Sequence, residues 1–134
     1  MPEIRLLGRA AAGVACAVAV LVPGAAAAAA HDDAQQSEVT LSVTETNRET
    51  RTVTLNCDPV GGDHPQADLA CHQLQLVDGN VQRLDARTAS TCTKELRTVN
   101  AEAKGSWRGN AVDFQLSEAN MCSLKARTGA LFDF

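Results

Sequence analysis

Four cysteines, Cys57, Cys71, Cys92 and Cys122, limit what this chain can fold into more than any other feature of its sequence. Their meaning depends on compartment, and the first thirty residues supply it. Arg5 and Arg9 form a short positive start, Ala10 to Val22 is an apolar run, and Pro23-Gly24 breaks it. Ala25 to Ala30 then offers the small residues that a signal peptidase requires. The run is shorter than the roughly 20 residues needed to cross a bilayer. Residues 1–30 are therefore expected to be a signal peptide, cleaved near Ala30-His31, and residues 31–134 a single secreted, extracellular domain. Cys16 leaves with the leader, and Gly13-Val14-Ala15 before it lacks the leucine of a lipoprotein anchor.

An even number of cysteines in a small exported domain reads as two disulfides. Three pairings are open, the simplest being the sequential one, Cys57–Cys71 with Cys92–Cys122. Loop closure alone would make these worth about 3 and about 3.5 kcal/mol by restricting the unfolded chain. Zinc is the competing use of cysteine. No C-x-x-C pair occurs and the histidines are not spaced as ligands, so neither a metal nor a cofactor is expected. Without the leader, ten basic residues face fifteen acidic ones, a net charge near −5 with no basic cluster. That balance argues against nucleic acid and against anionic membranes as partners.

Apolar periodicity gives the outline of the fold. Val39, Leu41 and Val43 alternate with Thr40, Ser42 and Thr44, the pattern of a half-buried strand. After the polar turn Glu45 to Glu49, Val53, Leu55 and Cys57 repeat the alternation, predicting an antiparallel hairpin. Asp58 to Pro65 holds two prolines and two adjacent glycines and reads as a tight loop. Pro65 is placed for the first turn of a helix carrying Ala70, Cys71, Leu74 and Val77, stopped by Asp78-Gly79-Asn80. Val81 to Ser90 is weakly patterned. Val99, Ala101 and Ala103 predict a third strand, Lys104-Gly105 a turn, and Trp107 to Leu116 a fourth strand. A short helix around Cys122 follows, and the alternating end Ala130 to Phe134 predicts a last strand. The expected class is α+β: a five-stranded antiparallel sheet with one main and one short helix.

No side-chain constellation for catalysis stands out. There is no G-x-S-x-G elbow, and no cysteine is free if both bridges form. Gly61-Gly62 lacks the Lys-Ser/Thr of a phosphate loop. His64, beside Pro65, is read as a hydrogen-bonding group that fixes its loop, and Trp107 as a core residue. The chain is not expected to be an enzyme. What remains is Thr91-Cys92-Thr93-Lys94-Glu95-Leu96-Arg97-Thr98, a polar stretch without alternation, held near its start by a cysteine. This is read as an exposed loop. Asn120, two residues before Cys122, is either an ordinary helix-start residue or a group reaching across to hold that loop.

Several of these residues fall into a known pattern. Cys57-Asp58-Pro59-Val60-Gly61-Gly62-Asp63-His64-Pro65, followed by Ala70-Cys71 and Leu74, resembles the Cys-x-Pro…Gly-x-His-Pro…Ala-Cys-x-x-Leu signature of the secreted subtilisin-inhibitor-like protease inhibitors of streptomycetes. Cys92 to Cys122, with Gly105, Trp107, Gly109, Val112 and Asn120, and the ending Ala130-Leu131-Phe132-Asp133-Phe134 are also similar to that family. The resemblance implies a five-stranded antiparallel sheet with two helices, the bridges 57–71 and 92–122, and a homodimer. It also implies a reactive bond two residues after Cys92, here Lys94–Glu95. Thr91, Cys92, Thr93, Leu96 and Arg97 would then be protease-contacting residues, and trypsin-like and subtilisin-like serine proteases the partners. Departures from the family pattern are Thr93 and Thr98 where prolines are common, Glu95 where an apolar residue can sit, and His72 where a small or acidic one is usual. A non-inhibitory binding module on the same scaffold, or an inhibitor aimed at a metalloprotease, are the alternatives.

Overall fold

In the computed structural model, which describes residues 36–86 and 91–134, two hairpins share one antiparallel sheet. The expected signal peptide, its cleavage site, Cys16 and His31 lie outside the described residues. The first hairpin joins β1 (Ser37–Glu45) to β2 (Arg51–Cys57), with Val39 opposite Leu55 and Leu41 opposite Val53. Val39, Leu41, Val43, Leu55 and Cys57 are buried, so the alternation legible in the sequence does mark the core face. β3 is the two-residue strand Gly61–Gly62, paired to β2. Helix α1 (Ala67–Leu76) follows and buries Ala70, Cys71 and Leu74. The second hairpin joins β4 (Val99–Trp107) to β5 (Asn110–Glu118), and β4 lies beside β1. Strand order is therefore β3-β2-β1-β4-β5. Helix α2 (Met121–Thr128) and a short 3-10 turn (Gly129–Phe132) close the chain.

Both disulfides form in the sequential pairing, each with a Cα–Cα separation of 5.6 Å. Cys57–Cys71 ties the end of β2 to α1, and both sulfur-bearing residues belong to the core with Leu74, Trp107, Phe114 and Phe132. Trp107 is buried, as expected, and its indole N–H donates to Asp78 Oδ1 at 3.2 Å. His64 also acts as expected. Its Nδ1 accepts from the Gln66 amide at 3.0 Å, which leaves Nε2 to donate to the Leu131 carbonyl at 3.1 Å. The loop before α1 is thus pinned to the C-terminal tail.

The structure differs from the sequence expectation in three places. Ala130 to Phe134 is not a strand: Ala130, Leu131 and Phe132 are all buried in succession as a 3-10 turn. Five residues of alternation do not distinguish a strand from a compact apolar turn, and here the backbone bonds go elsewhere. The Ala130 amide donates to the Gln73 side chain, and the Leu131 carbonyl is taken by His64. The sheet still has five strands, because Gly61–Gly62 pairs within the stretch expected to be a loop only. Lys104-Gly105 is not a turn but the middle of β4, where Gly105 has φ 152° and a side chain would meet the Glu38 carbonyl at 2.1 Å. Glycine is there for close approach of β1. The hairpin turns instead at Arg108-Gly109, so Trp107 ends β4 rather than opening β5.

Candidate functional site

Ahead of β4, Thr91 to Thr98 adopts no regular secondary structure. Every one of these residues is exposed except Cys92, which is half-buried. The sequence reasons are the absence of alternation and the lack of any large apolar residue other than Leu96. Leu96 itself is 83 % exposed, more than Leu76, Leu69 or Val60, the other exposed large apolar residues among those described. An unburied leucine in an otherwise polar loop gains nothing for the fold. Lys94 is exposed and, among the described residues, has no ion-pair partner, whereas Glu95 meets Arg97 Nη2 at 3.1 Å.

The loop is exposed yet held at several points. On its N-terminal side Cys92 is bonded to Cys122, the second residue of α2. On its C-terminal side the Arg97 amide donates to the Ala119 carbonyl at 2.8 Å. The Thr98 carbonyl accepts from both the amide and the hydroxyl of Thr46, at 2.9 and 3.0 Å. Val99 then enters β4 fully buried. Chain on both sides of Lys94-Glu95-Leu96 is thereby fixed to the body of the fold.

Asn120 lies beneath that segment, 8 % exposed. It is the N-cap of α2, with extended backbone, and its Oδ1 accepts from the Ser123 amide at 2.9 Å. Its Nδ2 donates to the Thr93 carbonyl at 3.1 Å and to the Glu95 carbonyl at 2.8 Å. Only this orientation of the amide satisfies all three contacts; the flipped one would set Oδ1 against two carbonyls. The two readings left open by the sequence, cap or loop support, are both true of the one side chain. The carbonyls it grips flank the Lys94–Glu95 bond, one on each side.

Thr91, Cys92, Thr93, Lys94, Glu95, Leu96 and Arg97 lie on the loop, with Asn120 and Cys122 bonded to it, whereas Cys57 and Cys71 belong to the core. Sequence reasoning missed Thr46 and Ala119. Both act largely through the main chain, and Thr46 is 52 residues from its partner, so no local pattern announces either.

A family model described as subtilisin inhibitor-like matches residues 35–120. Among curated proteins, the subtilisin inhibitor of Streptomyces violaceus is 35 % identical over 135 residues, covering 94 % of this chain and 92 % of that protein. Subtilisin inhibitor-like protein 1 of Streptomyces cacaoi is 37 % identical over 87 residues, 63 % of this chain and 79 % of that one. The transglutaminase-activating metalloprotease inhibitor of Streptomyces mobaraensis is 40 % identical over 86 residues, covering 63 % of this chain and 58 % of that protein. Among solved structures, Streptomyces caespitosus sermetstatin in complex with Bacillus licheniformis subtilisin superposes with a TM-score of 0.62 at 25 % identity. That match covers 74 % of this chain and 99 % of sermetstatin.

Proposed function

Because the chain belongs to the subtilisin inhibitor-like family, we propose that it is a secreted, substrate-like inhibitor of serine proteases whose reactive bond is Lys94–Glu95. The observation that carries this is the double grip of Asn120 on the carbonyls either side of that bond, in a loop otherwise left in solvent. The loop docks extended and adds a strand-like segment to the enzyme. Lys94 enters the primary pocket, its ammonium meeting a carboxylate in trypsin-like enzymes and its stem packing on apolar walls in subtilisins. Its carbonyl faces the catalytic serine. If the bond is cut, Cys92–Cys122 holds one new end, Arg97 and Thr98 hold the other, and Asn120 bonds to both. The leaving amine stays beside the acyl group, and religation competes with hydrolysis. Affinity comes from a loop with little conformational freedom left to lose.

Titration of trypsin and of subtilisin tests the proposal. Stoichiometric loss of activity is expected, and Lys94→Asp costs several kcal/mol against trypsin, on the order of a hot-spot residue, with the melting transition unchanged. A non-inhibitory binding module would leave both enzymes active at equimolar protein. Unaltered inhibition by Lys94→Asp rejects Lys94 as the entering residue. A metalloprotease target is the second reading, favoured by the similarity to the metalloprotease inhibitor of Streptomyces mobaraensis. It is separated by titrating a zinc metalloprotease with the same Lys94→Asp protein. Export after removal of residues 1–30, and assembly as a homodimer, complete the proposal; both are read from the mass and the sedimentation of the secreted protein.

A further inference from the structure

The charges that follow the reactive bond carry an inference that deepens the reading above and rests on it. Glu95 sits directly after the bond, so docking carries its carboxylate into the neighbourhood of the protease's catalytic groups, where water is excluded. A carboxylate stripped of water without a partner is strongly unfavourable. Its field would also oppose the negative charge that develops on the Lys94 carbonyl oxygen as the bond is attacked. The loop supplies its own remedy. Arg97, two residues further along the loop, meets Glu95 at 3.1 Å. Arg97 is itself fixed at its backbone, through its amide on the Ala119 carbonyl. Among the described residues, Arg97 is the cation that the ion pairs give to Glu95.

We propose that Arg97 is a positioning residue that neutralises Glu95 and draws its carboxylate aside, making an acidic residue tolerable immediately after the reactive bond. In the free protein the pair is half in solvent, 52 % and 60 % exposed, and stabilises the fold little. Its influence appears on docking, when the surrounding water leaves and the lone carboxylate would otherwise be stranded.

A double-mutant cycle against subtilisin tests this, with Arg97→Gln, Glu95→Gln and the double variant, each checked for an unchanged melting transition. Arg97→Gln is expected to raise Kd about thirtyfold or more, the range for leaving one member of a buried charge pair alone. In the Glu95→Gln background the same change is expected to cost less than about threefold. Arg97→Lys, which keeps the charge, is expected to recover most of the affinity. Equal losses in both backgrounds would mean that Arg97 touches the enzyme for its own sake, and overturn the proposal. So would an Arg97→Gln protein that binds like the parent. Failure of the inhibitor reading itself looks different: the unmodified protein would leave subtilisin active at equimolar ratio, before any variant is compared.

Discussion

Asn120 spends one side chain on three bonds, and their separation predicts how its variants divide. Oδ1 serves the start of α2, while Nδ2 serves the loop. Asn120→Asp keeps an oxygen for the Ser123 amide but turns a carboxylate towards the carbonyls of Thr93 and Glu95. Asn120→Ala removes both functions. We expect Ala to lower fold stability by about 1 kcal/mol, the usual loss of an N-cap, and Asp to keep the cap but lose stability through a carboxylate set against two carbonyls. Both should weaken protease binding about tenfold or more, since two hydrogen bonds to the loop are lost, and both should be cleaved faster at Lys94–Glu95. Thermal melts beside inhibition and cleavage rates check this. An Asp variant that binds like the parent would show that the grip on the loop is incidental. At the same scale Glu95 and Arg97 were visible in the sequence as two charges near a lysine. Their mutual contact was not, because it depends on the path the loop takes between its anchors.

At the scale of elements, the joint between α2 and the C-terminal tail has a calculable response to acid. Asp133 pairs with Lys125 of α2 and accepts from Gln66 Nε2 at 3.0 Å. The hydrogen bond from the Lys125 ammonium holds the Asp133 carboxyl below the ordinary carboxylate range; partial burial works the other way, and the Gln66 amide adds to the lowering. A carboxyl depressed on folding contributes stability that is fully present above its unfolded value, about 3.9. That contribution is lost as pH falls through the lower, folded value. Asp133→Asn should therefore be less stable than the parent at pH 7, by under about 1 kcal/mol because both side chains are 40 % or more exposed. The gap should close as pH falls below the ordinary carboxylate range, and denaturant melts from neutral pH into acid read it. A gap that widens in acid would contradict the assignment. Elements differ in how well the sequence announced them. β1, β2 and α1 carry long, regular apolar periods and were legible. β3 is two glycines, too short for any period, and Gly105 looks like a turn residue until the approach of Glu38 is known. The tail alternates as a strand would, yet its backbone partners are the side chains of Gln73 and His64, which no local pattern contains.

For the molecule as a whole, the scaffold has one consequence: chain on both sides of an exposed bond is fastened to the same rigid body. The N-terminal side is fastened through Cys92–Cys122 and the C-terminal side through the Ala119 and Thr46 contacts into β4. The cysteines and the loop were legible in the sequence, because covalent staples and missing periodicity both leave marks there. The fastening of the C-terminal side was not, since it runs between main-chain groups far apart in sequence. Together they give the account its central claim, that cutting Lys94–Glu95 does not release the ends. The most direct measurement starts from protein already cleaved at that bond, incubates it with a catalytic amount of subtilisin, and follows the mass. Intact chain, lighter by one water, is expected to reappear and to settle at the same intact-to-cleaved ratio reached from uncut protein. Cleaved protein that never regains the bond, or is degraded further while the disulfides stay oxidised, would contradict the account.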